Sequence, residues 1–496
     1  MTFTTLTFVL FLALVFALHW SARGRVGQNL VVLVASYAFY GWWDVRFCAL
    51  LLGSSLLDFF VARAIASSRD RPEHAGLAGL AVRRRALVGL SVVANLGLLG
   101  LFKYFDFFVE SLALVLTGLG VEASLPTLRL ILPVGISFYT FQTLGYTIDV
   151  YRGDAKASAS LLDYLAYVSF FPQLVAGPIE RARNLLPQLE QARVFDEAEA
   201  REGGRQILWG FAKKIVLADH LGSFVEQVYG TSGTVHASGP VLAVATIAFA
   251  FQIYCDFSAY SDIAIGTAKL FGVRLMRNFA HPYFSRSVDE FWRRWHISLS
   301  TWFRDYVYVP LGGSRHGPAR LWLALMVTFT LSGLWHGANW TFVIWGAVNG
   351  LMVALAIRMG RSRLSASDVS PPLRGWAGLR TLARMLATFG LICLTWVFFR
   401  ASDLAQAMGI LARIAVDMPR AEAWAELAHH EEFLAAFGPV VLAFVLVEWR
   451  SRAESHGLAG LGRWPRPLRW LTYTALIWAT IYLMPDDPGA FIYFQF

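Results

Sequence analysis

One histidine lies inside an apolar part of the chain. The stretch 331–340 reads LSGLWHGANW and places His336 between two apolar runs. An ionisable side chain in such surroundings is costly, and it is a functional candidate by default. Imidazole takes up a proton near neutral pH, as a general base that activates a hydroxyl must do. We therefore predict a catalytic role for His336. The alternative is a polar core histidine that binds a neighbouring carbonyl group.

The residues around His336 fit a site better than a plain membrane helix. Gly333 and Gly337 flank the histidine, and glycine permits a close approach of two backbones or a local break in a helix. Asn339 follows three residues later and offers an amide that donates a hydrogen bond or orients a neighbour. We expect these small and polar residues to shape the surroundings of the ring.

A second histidine, His296, lies among tryptophans and arginines in the stretch FWRRWHISLSTWFRDYVYVPLGGSR, residues 291–315. On a continuous helix, Trp292, Trp295 and His296 share one face with Leu299. Aromatic belts are routine at membrane interfaces, so a hydrogen-bonded structural histidine is the alternative to a functional one. We keep His296 as the second candidate catalytic residue.

Two carboxylates, Asp256 and Asp262, lie in the apolar stretch YCDFSAYSDIAIG. A pair of this kind binds a cation or relays protons at some sites. Hydrogen-bonded partners at helix ends or between helices are the more common use, and we predict that structural role here.

Metal, disulfide and nucleotide chemistry are not indicated by the sequence. The three cysteines, Cys48, Cys255 and Cys393, each lie in an apolar segment and show no metal-ligand spacing. The chain contains no phosphate-binding P-loop, no GxSxG elbow and no HExxH motif. We therefore expect no metal and no tightly bound cofactor.

The composition is that of a membrane protein. Hydrophobic residues make up 56% of the 496 residues and charged residues 16%, whereas a soluble domain averages about 25% charged residues. Several apolar windows approach the roughly 20 residues that a membrane helix needs. The pattern predicts an all-α, polytopic bundle of about ten to twelve crossings in one membrane-embedded domain, residues 1–496. Prolines interrupt 130–148 and 165–179, which we expect to be re-entrant.

Charge sorts the connections between these helices. Arginine-rich segments indicate the cytoplasmic side, and they comprise 63–85, 358–384 and 450–469. The acidic segment 400–434 is predicted to be an extracytoplasmic loop and a docking candidate for a partner. The net charge of +9 therefore indicates membrane topology and anionic headgroups, not nucleic acid. The arginines of 274–320 either set topology or attract an anionic cytoplasmic substrate.

An ordered set of motifs resembles the membrane-bound O-acyltransferase family, most of all its bacterial branch of the alginate O-acetyltransferase membrane-subunit type. In chain order the motifs are LPVGISFYTFQTLGYTIDVYRGD, FFPQLVAGPIERARNLLPQL, YCDFSAYSDIAIGTAKLFG, FWRRWHISLSTWFRDYVYVPLGGSR, LSGLWHGANWTFVIWG and the terminal FIYFQF. No single motif carries the resemblance, which rests on their order from the region of Leu30 onward.

The resemblance implies a bundle of helices around a central funnel in the bacterial inner membrane. The family's nearly universal histidine matches His336, and its second signature histidine matches His296. The implied donor is acetyl-CoA. The implied partner is a periplasmic SGNH-hydrolase-like protein that acetylates a cell-surface polysaccharide such as alginate.

We expect substrate contacts from residues near the two histidines, namely Asn339, Trp335, Trp295, Ser298 and Arg304. Arg304, together with Arg293 and Arg294, is also a candidate to attract the phosphates of a coenzyme A thioester. Two other functions stay open at the level of sequence. One is transfer of a D-alanyl group to a cell-wall polymer. The other is proton-coupled transport of a polysaccharide or lipid, with the histidines as proton relays.

Overall fold

The chain is helical throughout the part that the computed structural model describes. That part comprises residues 1–68, 77–121, 124–175, 177–230, 236–360, 375–485 and 491–492, and no β-strand occurs in it. The all-α class predicted from the sequence is therefore confirmed. The chain forms two compact units, Met1–Gly204 with Ala264–Met276, and Arg205–Ile263 with Arg277–Phe496. The prediction of one membrane-embedded domain stays a prediction.

The helices of the first unit precede His296 and His336 in the sequence. They are α1 (Leu6–Ser21), α2 (Gly24–Gly41), α3 (Val45–Ser67), α4 (Leu77–Leu99), α5 (Phe105–Gly118), α6 (Ile136–Arg152), α7 (Leu161–Ser169), α8 (Phe171–Leu174) and α9 (Ala182–Leu189). A π-helical turn, Gly100–Tyr104, joins α4 to α5.

A buried carboxylate ties three helices of the first unit together. Asp58 on α3 accepts hydrogen bonds from Ser91 and Asn95 on α4 and from Thr147 on α6. Asn95 donates at 2.7 Å and Thr147 at 2.8 Å. A buried carboxylate without such donors would be very costly, so the three contacts fix how these helices pack.

Both segments predicted to be re-entrant are interrupted where the sequence places proline or glycine. α6 begins only after Pro133, and its N-terminal neighbour Gly135 has φ of 74°, a left-handed conformation that favours glycine. α7 ends at Ser169, and α8 restarts with Pro172 in its first turn. The breaks agree with the sequence pattern, and the depth of these segments in a membrane stays a prediction.

The second unit holds both candidate histidines. Helices α10 (Glu197–Phe211) and α12 (Gly239–Leu270) each run from one unit into the other along the chain. The remaining helices are α11 (Asp219–Tyr229), α13 (Val288–Arg294), α14 (Ile297–Phe303), α15 (Gly317–His336), α16 (Trp340–Arg358), α17 (Gly375–Arg400), α18 (Leu404–Asp417), α19 (Glu431–Arg450) and α20 (Arg466–Tyr482). Two π-helical segments, Ala212–Ala218 and Arg304–Tyr308, and three 3₁₀ segments, Pro282–Phe284, Ala421–His430 and Ala459–Arg463, complete the unit.

Within the described residues, six helical stretches are long and apolar enough to cross a membrane. They are Val45–Ser67, Gly79–Gly118, Gly239–Leu270, Trp340–Arg358, Gly375–Arg400 and Ala421–Arg450. The polytopic membrane class is thus confirmed, while the larger number of crossings expected from the sequence stays a prediction. The acidic connection 400–434 is largely helical, since α18 and a 3₁₀ segment occupy most of it.

Helices α15 and α16 form a hairpin with an unusually close contact. A Cβ atom built on Gly346 would overlap the carbonyl oxygen of Phe329 and lie 3.1 Å from Cα of Gly333. A Cβ atom built on Gly333 would in turn overlap the carbonyl oxygen of Phe342. The sequence predicts a close approach at Gly333, and this hairpin is that contact. Small residues at such a crossing let backbones pack directly, as membrane helices often do.

Replacing Gly346 with alanine tests this contact. We expect Gly346→Ala to lower the free energy of unfolding by about 1–3 kcal/mol, because the added methyl group forces the two helices apart. Thermal unfolding of the purified protein in detergent, followed by tryptophan fluorescence, measures the loss. Gly390→Ala on α17 is the matched control, because a Cβ atom there meets nothing within 4 Å. Equal melting temperatures for the two variants would contradict the close contact.

Candidate active site

His336 is held at the turn of the α15–α16 hairpin. It is the last residue of α15, Gly337 follows in an extended conformation, and Asn339 precedes α16. The Asn339 side chain caps α16 by accepting a hydrogen bond of 3.0 Å from the backbone N–H of Thr341. A Cβ atom on Gly337 would overlap the ring of Phe342. The tight turn therefore requires glycine and fixes the position of the histidine.

Aromatic rings enclose the His336 imidazole, which is only 3% exposed. Its centroid lies 5.1 Å from those of Trp335 and Trp345 and 5.3 Å from that of Phe399. All three contacts are edge-on, an arrangement that aromatic pairs prefer. The ring is thus held by large, rigid neighbours on α15, α16 and α17.

His296 does not lie on a continuous helix, and the predicted shared face with Trp292 and Leu299 is wrong. α13 ends at Arg294, Trp295 is extended, and His296 has φ of 44° and ψ of 54° before α14 begins. The cause is a tertiary contact. The backbone N–H of Ala280 donates a hydrogen bond to the carbonyl oxygen of Arg294, and the N–H of Ile297 donates to the carbonyl oxygen of Asn278, both at 2.9 Å. These bonds replace the helical ones across the break.

The side chain of Asn278 determines which ring nitrogen of His296 carries the hydrogen. Its Nδ2 donates to Ser261 Oγ at 3.1 Å, so its Oδ1 is the acceptor on the other side. That oxygen accepts from the hydroxyl and N–H of Ser298, at 2.9 and 3.3 Å, and faces His296 Nδ1 at 3.1 Å. Nδ1 therefore carries the hydrogen, and Nε2 is the basic nitrogen. Burial lowers the pKa of His296 to about 3, so the ring is neutral near pH 7.

Both histidines line one cavity of about 460 Å³. Their ring centroids are 6.5 Å apart. The polar residues that share the wall are Asp289, Arg293, Ser300, Thr301, Arg304, Tyr308, Thr328 and Ser332. The apolar part of the wall includes Trp292, Trp295, Phe303 and Phe329. A cavity of this size, lined by both aromatic and polar side chains, is typical of a small-molecule site.

Each arginine at this cavity has an acidic partner. Arg293 binds Asp289 at 2.5 Å, and Arg304 binds Asp305 at 2.8 Å. The Asp289 side chain is 6% exposed, whereas those of Arg304 and Asp305 are 59% and 27% exposed. The first pair is therefore a fixed part of the wall, and the second is open to solvent, where ion pairs exchange readily.

The structure brings together only part of the predicted substrate-contacting set. Trp295 and Arg304 line the cavity with the two histidines. Ser298 binds Asn278, and Trp335 packs its ring against both histidines, but neither residue is part of the cavity wall. Asn339 donates to the carbonyl oxygen of Ser402 at 2.9 Å, away from the wall. Their roles in substrate binding stay predictions.

Asp256 and Asp262 are partners of buried lysines, as their expected structural role requires. Asp262 binds Lys213 at 2.6 Å, and Asp256 binds Lys214 at 2.9 Å. Asp256 also accepts a hydrogen bond of 2.7 Å from the backbone N–H of Ile492. Among the described residues, no group of three or more His, Cys, Asp or Glu side chains is placed to hold a metal ion.

Sequence reasoning missed Asn278, the residue on which the conformation of His296 depends. It lies 18 residues before the histidine in the sequence, in the stretch MRNFAHPYF, which has no spacing or motif that indicates a site. The residue type does not predict the positive φ of His296 either, because this conformation is uncommon even for histidine, which adopts it more often than most residues.

Comparison with known proteins decides the family. The model of the membrane-bound O-acyltransferase family matches residues 154–378. The probable alginate O-acetylase AlgI of Azotobacter vinelandii is 40% identical over 405 residues, which cover 82% of this chain and 76% of the relative. This chain belongs to the membrane-bound O-acyltransferase family. The probable alginate O-acetylase AlgI of Pseudomonas aeruginosa is 39% identical, with 82% and 73% covered. The peptidoglycan O-acetyltransferase of Helicobacter pylori is 32% identical, with 80% and 75% covered.

The family gives the chain its enzyme class. It is a membrane acyltransferase of the O-acetyltransferase type, and the resemblance inferred from its motifs is confirmed. The family match, residues 154–378, contains both His296 and His336 and the break between α13 and α14. The cavity that the two histidines share therefore lies in the part of the chain that defines the family.

The hydrogen bond between Asn278 and His296 predicts a pH effect. Asn278→Asp places a carboxylate beside Nδ1 of His296, which stabilises the imidazolium and raises the pKa of the ring above its present value of about 3. The neutral fraction then falls as pH falls through the raised pKa. We expect the acid limb of the acyl-transfer rate, measured between about pH 5 and pH 8, to move to higher pH.

Ser261→Ala is the control for this variant, since it removes the hydrogen bond that Asn278 donates without adding charge. Its acid limb is expected to coincide with that of the wild type. If Asn278→Asp showed the same acid limb as Ser261→Ala, a requirement for neutral His296 would be excluded.

Proposed function

We propose that the chain carries an acetyl group from a cytoplasmic thioester, acetyl-CoA, to a hydroxyl acceptor for O-acetylation of a cell-surface polysaccharide. The observation that carries this proposal is the single cavity lined by His296 and His336 in a chain of the O-acetyltransferase type. Its volume of about 460 Å³ accommodates the acetyl end of a donor and one hydroxyl group.

In the proposed reaction His336 is the general base. It takes the proton of the acceptor hydroxyl as the oxygen attacks the thioester carbonyl, the C–O bond forms and the C–S bond breaks. The proton then passes to the departing thiolate, so the ring is regenerated. His336 is the last residue of α15, and the partial negative charge at a helix C-terminus stabilises the imidazolium that forms.

His296 has a different part in this proposal. Its Nδ1 is bound to Asn278, and burial keeps the ring neutral, so its Nε2 accepts a hydrogen bond but donates none. A donor group of the bound substrate, such as an amide N–H of the thioester arm or the acceptor hydroxyl, is the partner that fits. His296 therefore positions substrate, while His336 moves the proton.

The acceptor is proposed from the relatives and from the size of the site. Alginate and peptidoglycan appear in the names of the relatives that are at least 32% identical over 80% or more of this chain. A cavity of about 460 Å³ admits a side chain or a single sugar hydroxyl more easily than a polysaccharide strand. This favours transfer through a periplasmic SGNH-hydrolase-like partner, whose serine would take the acetyl group across the bacterial inner membrane.

The two other functions have less support. Acetyl transfer is named for relatives that cover 82% and 80% of this chain, which favours acetyl over D-alanyl transfer. A proton-coupled transporter would use the histidines as proton relays, but the chain belongs to an acyltransferase family, which favours a part for them in acyl transfer.

Substitution of the histidines tests the proposal. In a deletion strain complemented with His336→Ala, we expect the O-acetyl content of the surface polysaccharide to fall by about a hundredfold or more, because the general base is absent. His296→Ala is expected to lower it less, since a hydrogen bond to substrate is lost. Acetyl released by mild base from the isolated polysaccharide is the quantity to measure, at matched membrane levels of each variant.

His316→Ala is the matched control, since His316 lies just before α15, is exposed and is not part of the cavity wall. Its acetyl content is expected to equal that of the wild type. Full acetylation with His336→Ala would exclude His336 as the base. Unchanged acetylation in the deletion strain itself would exclude this polysaccharide as the acceptor.

A further inference from the structure

A second and larger cavity lies between α16 and α17, with a volume of about 720 Å³. Its wall is formed by the C-terminal half of α16, the N-terminal half of α17 and the start of α13. Among the residues that the structure describes, no histidine lines it, and none of its wall residues lines the cavity with His296 and His336. It is therefore separate from the proposed acyl-transfer site.

Three basic side chains line this cavity. Arg380 and Arg384 lie in the first turns of α17, and Arg286 lies just before α13. No acidic side chain is among the described residues of the wall. Arg286 does bind Glu290 at 3.0 Å, but Glu290 also binds Arg294 at 2.6 Å, so two guanidinium groups share one carboxylate. The described part of the wall thus carries an excess of positive charge.

The rest of the wall is apolar. Met352, Leu355 and Met359 lie at a spacing that keeps them on one face of α16, and Leu391 faces them from α17. The seven helical steps from Met352 to Met359 cover about 10 Å along the helix axis. An amphiphile with an anionic head and an apolar tail matches this arrangement of charge and apolar surface.

The position of the arginines along the helices decides which amphiphile fits. α16 and α17 are both long and apolar enough to cross a membrane, and the cavity wall includes Met359 and Gly360 at the end of α16 and Arg380 near the start of α17. The ends of spanning helices lie at the level of the lipid headgroups, where arginine meets phosphate. The apolar wall extends from there toward the middle of the spans, as an acyl chain does.

We propose that this cavity binds an anionic phospholipid. The phosphate group contacts Arg380 and Arg384, and one acyl chain lies along Met352, Leu355 and Met359. A zwitterionic choline lipid fits less well, because its headgroup brings a cation to the same arginines. Free phosphate fits less well too, because it leaves the apolar wall uncovered.

Native mass spectrometry of the purified full chain tests the site. The detergent-solubilised protein is titrated with phosphatidylglycerol or with phosphatidylcholine of the same acyl chains. We expect phosphatidylglycerol to bind in preference, and the double variant Arg380→Gln, Arg384→Gln to weaken its binding by about tenfold or more, since two charge contacts are lost. Arg466→Gln is the matched control, an exposed arginine at the start of α20 that lies outside the cavity.

A second variant probes the apolar wall without changing charge. Leu391 is 47% exposed, so Leu391→Trp is expected to fold and to fill the groove, which lowers phosphatidylglycerol binding as well. Equal binding of the two lipids, or phosphatidylglycerol binding that the double arginine variant leaves unchanged, would overturn the proposal. Displacement of the lipid by inorganic phosphate would overturn it too, since the cavity would then select a free anion.

Discussion

The side chain of Asn278 supports the geometry of the acyl-transfer cavity. One amide contacts Ser261 on α12, both polar groups of Ser298 on α14, and the ring of His296 between α13 and α14. All of these groups are buried, and a buried polar group without a partner is costly. Since one side chain satisfies several of them, that amide stabilises the helix break together with the backbone hydrogen bonds across it. The cavity wall depends on this break, because both flanking helices contribute residues to it.

Aromatic packing gives the second histidine a different kind of support. His336 has rings on three sides, and one of them, Trp345, stacks on Trp396 with centroids 5.6 Å apart. Indole rings have few rotatable bonds, so they hold a neighbour in place with little loss of side-chain entropy. A hydrogen bond therefore orients His296, whereas ring contacts enclose His336. The two histidines are thereby suited to unlike roles, one that binds and one that takes up and releases a proton.

The sequence indicates both histidines as candidate catalytic residues, but the evidence for His336 is stronger than that for His296. His336 is evident because an ionisable residue between apolar runs is rare, and the glycines beside it predict the close hairpin that the structure contains. The helical class follows from composition and apolar windows in the same way. The conformation of His296 was not predictable, because periodicity favours a continuous helix through that residue and the break is stabilised by Asn278 and Ala280, which are distant in the sequence. The sequence does not show that Asn339 caps α16 and donates to the carbonyl oxygen of Ser402, and its role in substrate binding stays a prediction.

The two arginines at the cavity with the histidines differ in how buried their acidic partners are. At the cavity with the histidines, Arg293 is held by an Asp289 side chain that is only 6% exposed. A phosphate group that replaced Asp289 as the partner of Arg293 would leave this aspartate buried without a partner, which is unfavourable. Arg304 and Asp305 are exposed, so a phosphate can replace the aspartate there at little cost. If the phosphates of a coenzyme A thioester bind at this cavity, Arg304 is therefore the residue expected to hold them, and Arg293 stays part of the wall.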